Sequence, residues 1–109
     1  MASANVLELT TDNFATEVNS GTLVVADFWA PWCGPCRLLG PVIDRAADQF
    51  AGKVKIGKVN VDENGDLASK YDVNTIPRVM MFKGGDQPVF VHVGVLSDAE
   101  LAKQIQKHI

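Results

Sequence analysis

Cys33 and Cys36 are the only thiols in the 109-residue chain, and they stand three apart in the stretch FWAPWCGPCRLLGP, from Phe28 to Pro41. A lone pair at that spacing suits a structural disulfide, a metal site or thiol–disulfide exchange. As a structural element, a disulfide closing so short a loop stabilises a fold by only about 2 kcal/mol. Zinc needs four ligands, usually as two pairs. The remaining nitrogen candidates, His92 and His108, have no ligand spacing between them, so no metal is expected. Two inert buried thiols fit poorly with a Gly-Pro dipeptide at a helix start. Exchange fits best.

The spacing carries a geometry. With Cys33 as the N-cap of a helix and Cys36 at its third position, the two Cβ atoms lie roughly 5–6 Å apart. A disulfide needs Cα atoms roughly 4.4–6.8 Å apart. The pair can therefore be bridged with little backbone movement, and can also stand as two thiols. Pro35 falls in the first turn, where its missing N–H costs no helical bond. Gly34 lets another chain approach Cys33 closely. Free N–H groups and the positive end of the helix dipole favour a thiolate at Cys33. A lowered thiol pKa makes a better nucleophile at neutral pH. Cys36, one turn further in, is expected to be the more buried, giving one exposed attacker and one inner resolver.

These residues need a scaffold, and the pattern on either side supplies one. TLVVADFWA is a nearly continuous apolar run with β-branched and aromatic residues, which predicts a strand buried on both faces. After Cys33, Leu39, Val42, Ile43, Ala46, Ala47 and Phe50 recur at helical spacing, with Pro41 expected to kink that helix. ANVLEL reads as a short edge strand. TTDNFATEVNS reads as a helix capped by Thr11 and ended by Gly21. KVKIGKVNVD is a further strand and NGDLASKYD a short helix. PRVMMFKGG and QPVFVHVG form a hairpin turning at Gly84-Gly85-Asp86. The last helix opens with an S-x-x-E capping box, Ser97 to Glu100, and a staple between Leu96 and Leu101. The order β-α-β-α-β-α-β-β-α implies parallel strands followed by an antiparallel edge, a mixed sheet between helices. Sites in such sheets sit at the carboxyl ends of strands, which is where WCGPC falls.

Composition narrows the function classes. Apolar residues make up 47% and charged residues 21% of the chain, as in a globular domain, and residues 1–109 are read as one domain. Ten Lys and Arg face thirteen Asp and Glu, a net charge of −3. With basic residues scattered, neither nucleic acid nor an anionic membrane is expected as a partner. MASANVLELT has no basic n-region and no apolar h-region, and no apolar run reaches the roughly 18 residues of a span. A cytoplasmic protein is the expectation.

FWAPWCGPC, followed by KVNVD, TIPRVMMF and then VG before the last helix, resembles the thioredoxin family over essentially the whole chain. The Gly-Pro between the cysteines is similar to that of its reducing members. The resemblance implies an α/β fold, the thioredoxin-like three-layer sandwich, with a central five-stranded mixed sheet flanked by four helices. It implies a monomeric protein-disulfide reductase without a cofactor, serving oxidised target proteins and regenerated by a thioredoxin reductase. Cys33 would attack the target disulfide, and Cys36 would resolve the mixed disulfide to leave Cys33–Cys36 oxidised. Two other readings stay open: a non-redox binding module using the same apolar rim, and a dithiol oxidase or isomerase.

Other residues follow. On the central strand, alternation puts Leu23, Val25, Asp27 and Trp29 on one face. A buried Asp27 must be neutral, partnered or solvated. The resemblance implies proton transfer with Cys36. Lys58 intrudes on the side of its strand that carries Val54 and Ile56, and pairing with Asp27 would explain it and tune that acid. Trp29 is assigned to packing under the site. Pro77 starts a strand. Base rates favour a trans Ile76-Pro77 bond, whereas the resemblance implies cis, with Pro77 beside the disulfide and the Ile76 backbone pairing with an extended substrate. Trp32, Gly34, Ile76, Gly94 and Val95 would form the contact surface. Arg78 departs from the family pattern, which has a small or hydroxyl residue there. Its guanidinium is expected to point to solvent, with an action on the Cys33 thiol as the sharper alternative. His92 reads as a solvated position.

Overall fold

A computed structural model describes residues 3–109. Nine elements follow in the expected order: β1 (Val6–Glu8), α1 (Phe14–Val18), β2 (Leu23–Trp29), α2 (Gly34–Gln49), β3 (Lys55–Asn60), α3 (Gly65–Lys70), β4 (Arg78–Lys83), β5 (Pro88–Val93) and α4 (Asp98–His108). The strands form one sheet in the order β1-β3-β2-β4-β5. β3 runs parallel to both β1 and β2, whereas β4 is antiparallel to β2 and to β5. Five strands between four helices form the three-layer α/β sandwich expected.

The apolar run of β2 explains its place. Paired on both edges and buried on both faces, it alternates between two cores. Val25 joins Leu39, Ile43, Ile56, Leu101 and Ile105 on the side of α2 and α4. Val24, Ala26 and Phe28 join Phe14, Val59, Leu67 and Phe82 on the side of α1 and α3. Asp27 belongs to the first face and is 1% exposed. Leu96 and Leu101 are buried on that face too, as the staple requires. Only half of the expected capping box forms: Ser97 Oγ accepts from the Glu100 N–H at 3.1 Å.

The start of α1 differs from expectation. Thr11 is not its cap; its N–H donates to the buried Asn64 at 2.9 Å, tying this loop to the one before α3. The first turn is instead closed by Thr10 and Asn13. Asn13 Oδ1 accepts from the Thr10 N–H at 2.8 Å, and Thr10 Oγ1 accepts from the Asn13 N–H at 3.3 Å. That reciprocal arrangement resembles a capping box one residue early. The helix ends at Val18, before Gly21, with Asn19 Nδ2 on the Ala15 carbonyl at 2.7 Å. α2 runs through Pro41 without a break.

One glycine fixes how β1 lies on the sheet. A Cβ at Gly57 would stand 2.7 Å from Leu9 Cγ and Cδ1 and 2.9 Å from the Leu7 carbonyl oxygen. Backbone and a fully buried leucine cannot both yield without disturbing the β1–β3 register. Gly57→Ala is therefore expected to lower stability by about 1–3 kcal/mol in urea unfolding. Gly65→Ala, where nothing lies within 4 Å of a new Cβ, is expected to cause no such loss.

Candidate functional site

β2 ends at Trp29, and the chain turns through Ala30–Cys33 into α2. The Cys33 N–H donates to the Ala30 carbonyl at 3.1 Å, which closes the turn. Cys33 has extended backbone (φ −90°, ψ 111°) and caps α2, its Sγ accepting from the Cys36 N–H at 3.3 Å. Gly34 and Pro35 lie exposed in the first turn. The two cysteines are joined as a disulfide with Cα atoms 5.3 Å apart, inside the range that residues three apart on a helix start provide.

One expectation needs correcting. Cys33 is not an exposed attacker beside a sheltered Cys36: in the disulfide the two are 5% and 4% exposed. Trp29, Ala30, Val61 and Ile76 pack around both. The asymmetry lies in what each cysteine faces. Cys33 sits at the helix end, whereas Cys36 lines a cleft of about 200 Å³ with Asp27, Trp29, Arg37, Gly40 and Lys58.

Asp27 is the chemical oddity in that cleft. Its Oδ1 is buried without a hydrogen-bond partner among the described residues. Burial pushes its carboxyl up from 3.8 to about 7, against the lowering effect of the Lys58 charge and with a further rise from Asp44. Asp27 and Lys58 are register partners on β2 and β3, but the expected pairing does not form. The Lys58 ammonium instead lies 3.1 Å from Asp44 Oδ1 on α2, in an ion pair without aligned hydrogen-bond geometry. Asp44 was not foreseen. A usable signal was Gly40 and Asp44 four apart, a slot and a carboxylate on one helix face.

The rim comes from two other loops. The Ile76-Pro77 bond is cis, as the resemblance implied and base rates did not. Pro77 is buried and Ile76 half-buried against the cysteines. The Gly94 N–H donates to the Pro77 carbonyl at 2.9 Å. Gly94 adopts φ +105°, a conformation glycine takes readily, and Val95 beyond it is 42% exposed. Trp32 is 68% exposed, yet its indole N–H is held by both carboxylate oxygens of Asp62, at 3.2 and 3.1 Å. Asp62, the final residue of KVNVD, is a second residue that sequence reasoning missed.

Arg78 neither points freely to solvent nor turns to Cys33. Its guanidinium donates to the Asp72 carbonyl at 3.0 Å and to Asn74 Oδ1 at 3.1 Å. It thus braces the loop leading to Pro77, at a turn where Asp72 has φ +53°. His92 is half-buried and stacked on Phe90 rather than fully solvated.

A bridgeable dithiol on a helix N-terminus, at the carboxyl end of a central strand, defines a thiol–disulfide exchange site. The thioredoxin family model matches residues 5–107. The chain is 47% identical to thioredoxin 1 of Nostoc sp., over 94% of this chain and 95% of that protein. It is 48% identical to the thioredoxin of Chlorobaculum thiosulfatiphilum, over 94% of each. To the M-type chloroplastic thioredoxin of Pisum sativum it is 45% identical, over 84% of this chain and 53% of that one. The chain belongs to the thioredoxin family. It is a protein-disulfide reductase.

The raised Asp27 carboxyl makes stability depend on pH. Below about pH 4 folded and unfolded chains both hold this proton, and burial carries no ionic penalty. Between about 4 and 7 the folded chain keeps a proton that the unfolded chain releases, so stability falls as pH rises. Above about 7 the loss is complete, on the order of 4 kcal/mol. Asp27→Asn is expected to remove this slope. Urea unfolding of both proteins at pH 5 and pH 8 checks it, the fall for wild type exceeding that for the variant.

Proposed function

We propose that this chain reduces target proteins as one thioredoxin domain spanning residues 1–109, with Cys33 as nucleophile and Cys36 as resolving thiol. In the dithiol, the Cys33 thiolate attacks one sulfur of a target disulfide. A mixed disulfide forms and the other target sulfur leaves as a thiolate. Asp27, as carboxylate, takes the Cys36 proton. The Cys36 thiolate then attacks Cys33 Sγ, closing Cys33–Cys36 and releasing the second target thiolate. Two electrons pass to the target, and its two thiolates gain two protons, one that Cys36 gave up to Asp27 and one from water.

The observation that carries this assignment is the position of the pair. Cys33 caps α2 with its sulfur on a backbone N–H, where the helix end favours a thiolate. Cys36 shares a cleft with Asp27, an acid whose proton affinity near neutrality suits transfer at cellular pH. Lys58 moderates that affinity by its charge. Gly34 and Pro35 keep the helix start open to an incoming chain, and Pro77 packs beneath it.

Trp32, Ile76, Gly94 and Val95 form the surface that receives the target. Among the described residues the Ile76 N–H and carbonyl have no hydrogen-bond partner, which supports strand-like pairing with an extended target segment. The partners are disulfide-bearing proteins and a thioredoxin reductase that restores the dithiol, so the chain acts in electron transport as a monomer. Among the described residues no helix is long and apolar enough to cross a membrane. Together with the bacterial relatives this favours the cytoplasm, whereas the pea relative is described as chloroplastic.

Reduction of insulin by dithiothreitol tests the assignment. Wild type is expected to accelerate precipitation of the insulin chains, and Cys33→Ser to abolish the acceleration. Cys36→Ser is expected to accumulate a mixed disulfide with insulin, visible by mass and reversed by excess dithiothreitol. Retained acceleration in the Cys33→Ser, Cys36→Ser double variant would overturn the exchange mechanism.

A further inference from the structure

The Asp44–Lys58 pair has no part in the exchange steps, yet it stands beside the one buried acid that does. β3 points Lys58 into the cleft next to Asp27, its register partner on the neighbouring strand. A lysine there has two carboxylates to choose between. Asp27 is the closer in the sheet, but its Oδ1 stays unpartnered. Asp44 takes the ammonium at 3.1 Å, in a site where the lysine and aspartate side chains are 22% and 14% exposed. Gly40, one turn before Asp44, faces the same ammonium: a Cβ there would lie 3.7 Å from Lys58 Nζ, an ordinary contact. The ammonium therefore lies along α2, away from the strand.

We propose that Asp44 is a positioning residue that holds Lys58 on α2, out of contact with Asp27, and so limits how far the lysine charge lowers that acid. Asp44 is not itself part of the cleft lining, and it reaches the cleft through Lys58, which is. The groups facing Asp27 are few. β3 contributes Lys58, α2 contributes Cys36, Arg37 at the cleft and Asp44, and β4 contributes only the apolar Val79 opposite. A carboxylate buried without a partner holds its proton to a higher pH, in keeping with the value near neutrality for Asp27. Were Lys58 to swing across, an opposite charge at contact distance would return Asp27 to a permanently ionised acid. As a weaker base it would then accept the Cys36 proton less readily and hold it poorly.

The functional consequence rests on the reading of Asp27 as proton acceptor for Cys36; the positioning does not. Carboxyl-carbon NMR of Asp27 measures its titration directly in the oxidised protein. Asp44→Asn is expected to lower the midpoint by about one pH unit or more, as the freed lysine turns to Asp27. Asp44→Glu is expected to restore a midpoint near that of wild type. In a Lys58→Met background, Asp44→Asn is expected to produce less than half that shift. An unchanged midpoint in Asp44→Asn overturns the proposal. So does an equal shift in the Lys58→Met background, because Asp44 would then act by its own charge. Lys58→Met alone keeps the test independent of changes at position 44. It is expected to raise the midpoint by less than Asp44→Asn lowers it, and a larger rise overturns the proposal. The pH profile of insulin reduction separates the two readings. If the Asp27 midpoint moves and the profile does not follow, the positioning stands and the proton-acceptor role of Asp27 falls.

Discussion

β2 has no free edge and no free face. It is paired with β3 on one side and β4 on the other, and six of its seven residues are buried. Everything at the site is referred to this strand. Its last residue feeds the turn that ends at Cys33, its fifth residue is Asp27, and its two neighbours deliver Lys58 and, just before β4, Ile76-Pro77. A thiol pair held on a mobile loop would sample many separations. One anchored to a strand locked on four sides keeps the 5.3 Å Cα separation that makes bridging and opening both accessible. The requirement for precision thus explains why the most buried strand in the molecule carries the chemistry.

The same rigidity makes Asp27 expensive. A strand with apolar cores on both faces leaves its acid 1% exposed with few donors, so the carboxyl keeps its proton to near neutrality at the cost of stability in the ionised form. The structure does not relieve this by pairing, though a lysine stands within reach. That cation is held by Asp44. On the role proposed for Asp27, stability and function pull in opposite directions here, and the arrangement favours an acid able to exchange protons over one permanently ionised.

How much of this was legible in the sequence depended on the range of the interaction. The buried strand was legible because TLVVADFWA has no alternation, and the Cys33 cap because capping is a property of four consecutive residues. The hairpin and the Leu96–Leu101 staple were equally local. Harder were contacts that depend on how a helix is rotated over a strand. Lys58 was visibly out of place, yet its partner could be chosen only once α2 was laid on β3 and Asp44 came to face it. The same holds for Arg78, whose guanidinium reaches a loop four to six residues back because that loop folds over the strand start. The near-equal burial of the two cysteines was illegible for another reason. It belongs to the packing of Trp29, Val61 and Ile76 from three separate segments. The cis bond before Pro77 came from resemblance alone, since nothing local distinguishes it.

Trp32 is the most exposed large ring on the rim, but it is not free. With its N–H held between the two oxygens of Asp62, its orientation is set while its face still meets water. Ordering a free side chain on binding costs about 0.5–1.5 kcal/mol, and a ring already fixed avoids most of that. Its apolar face then contributes desolvation with little entropic penalty. On the reading proposed for this rim, such a surface grips by flatness rather than by a matched set of polar contacts, which suits a reductase that must let its target go once the disulfide is opened.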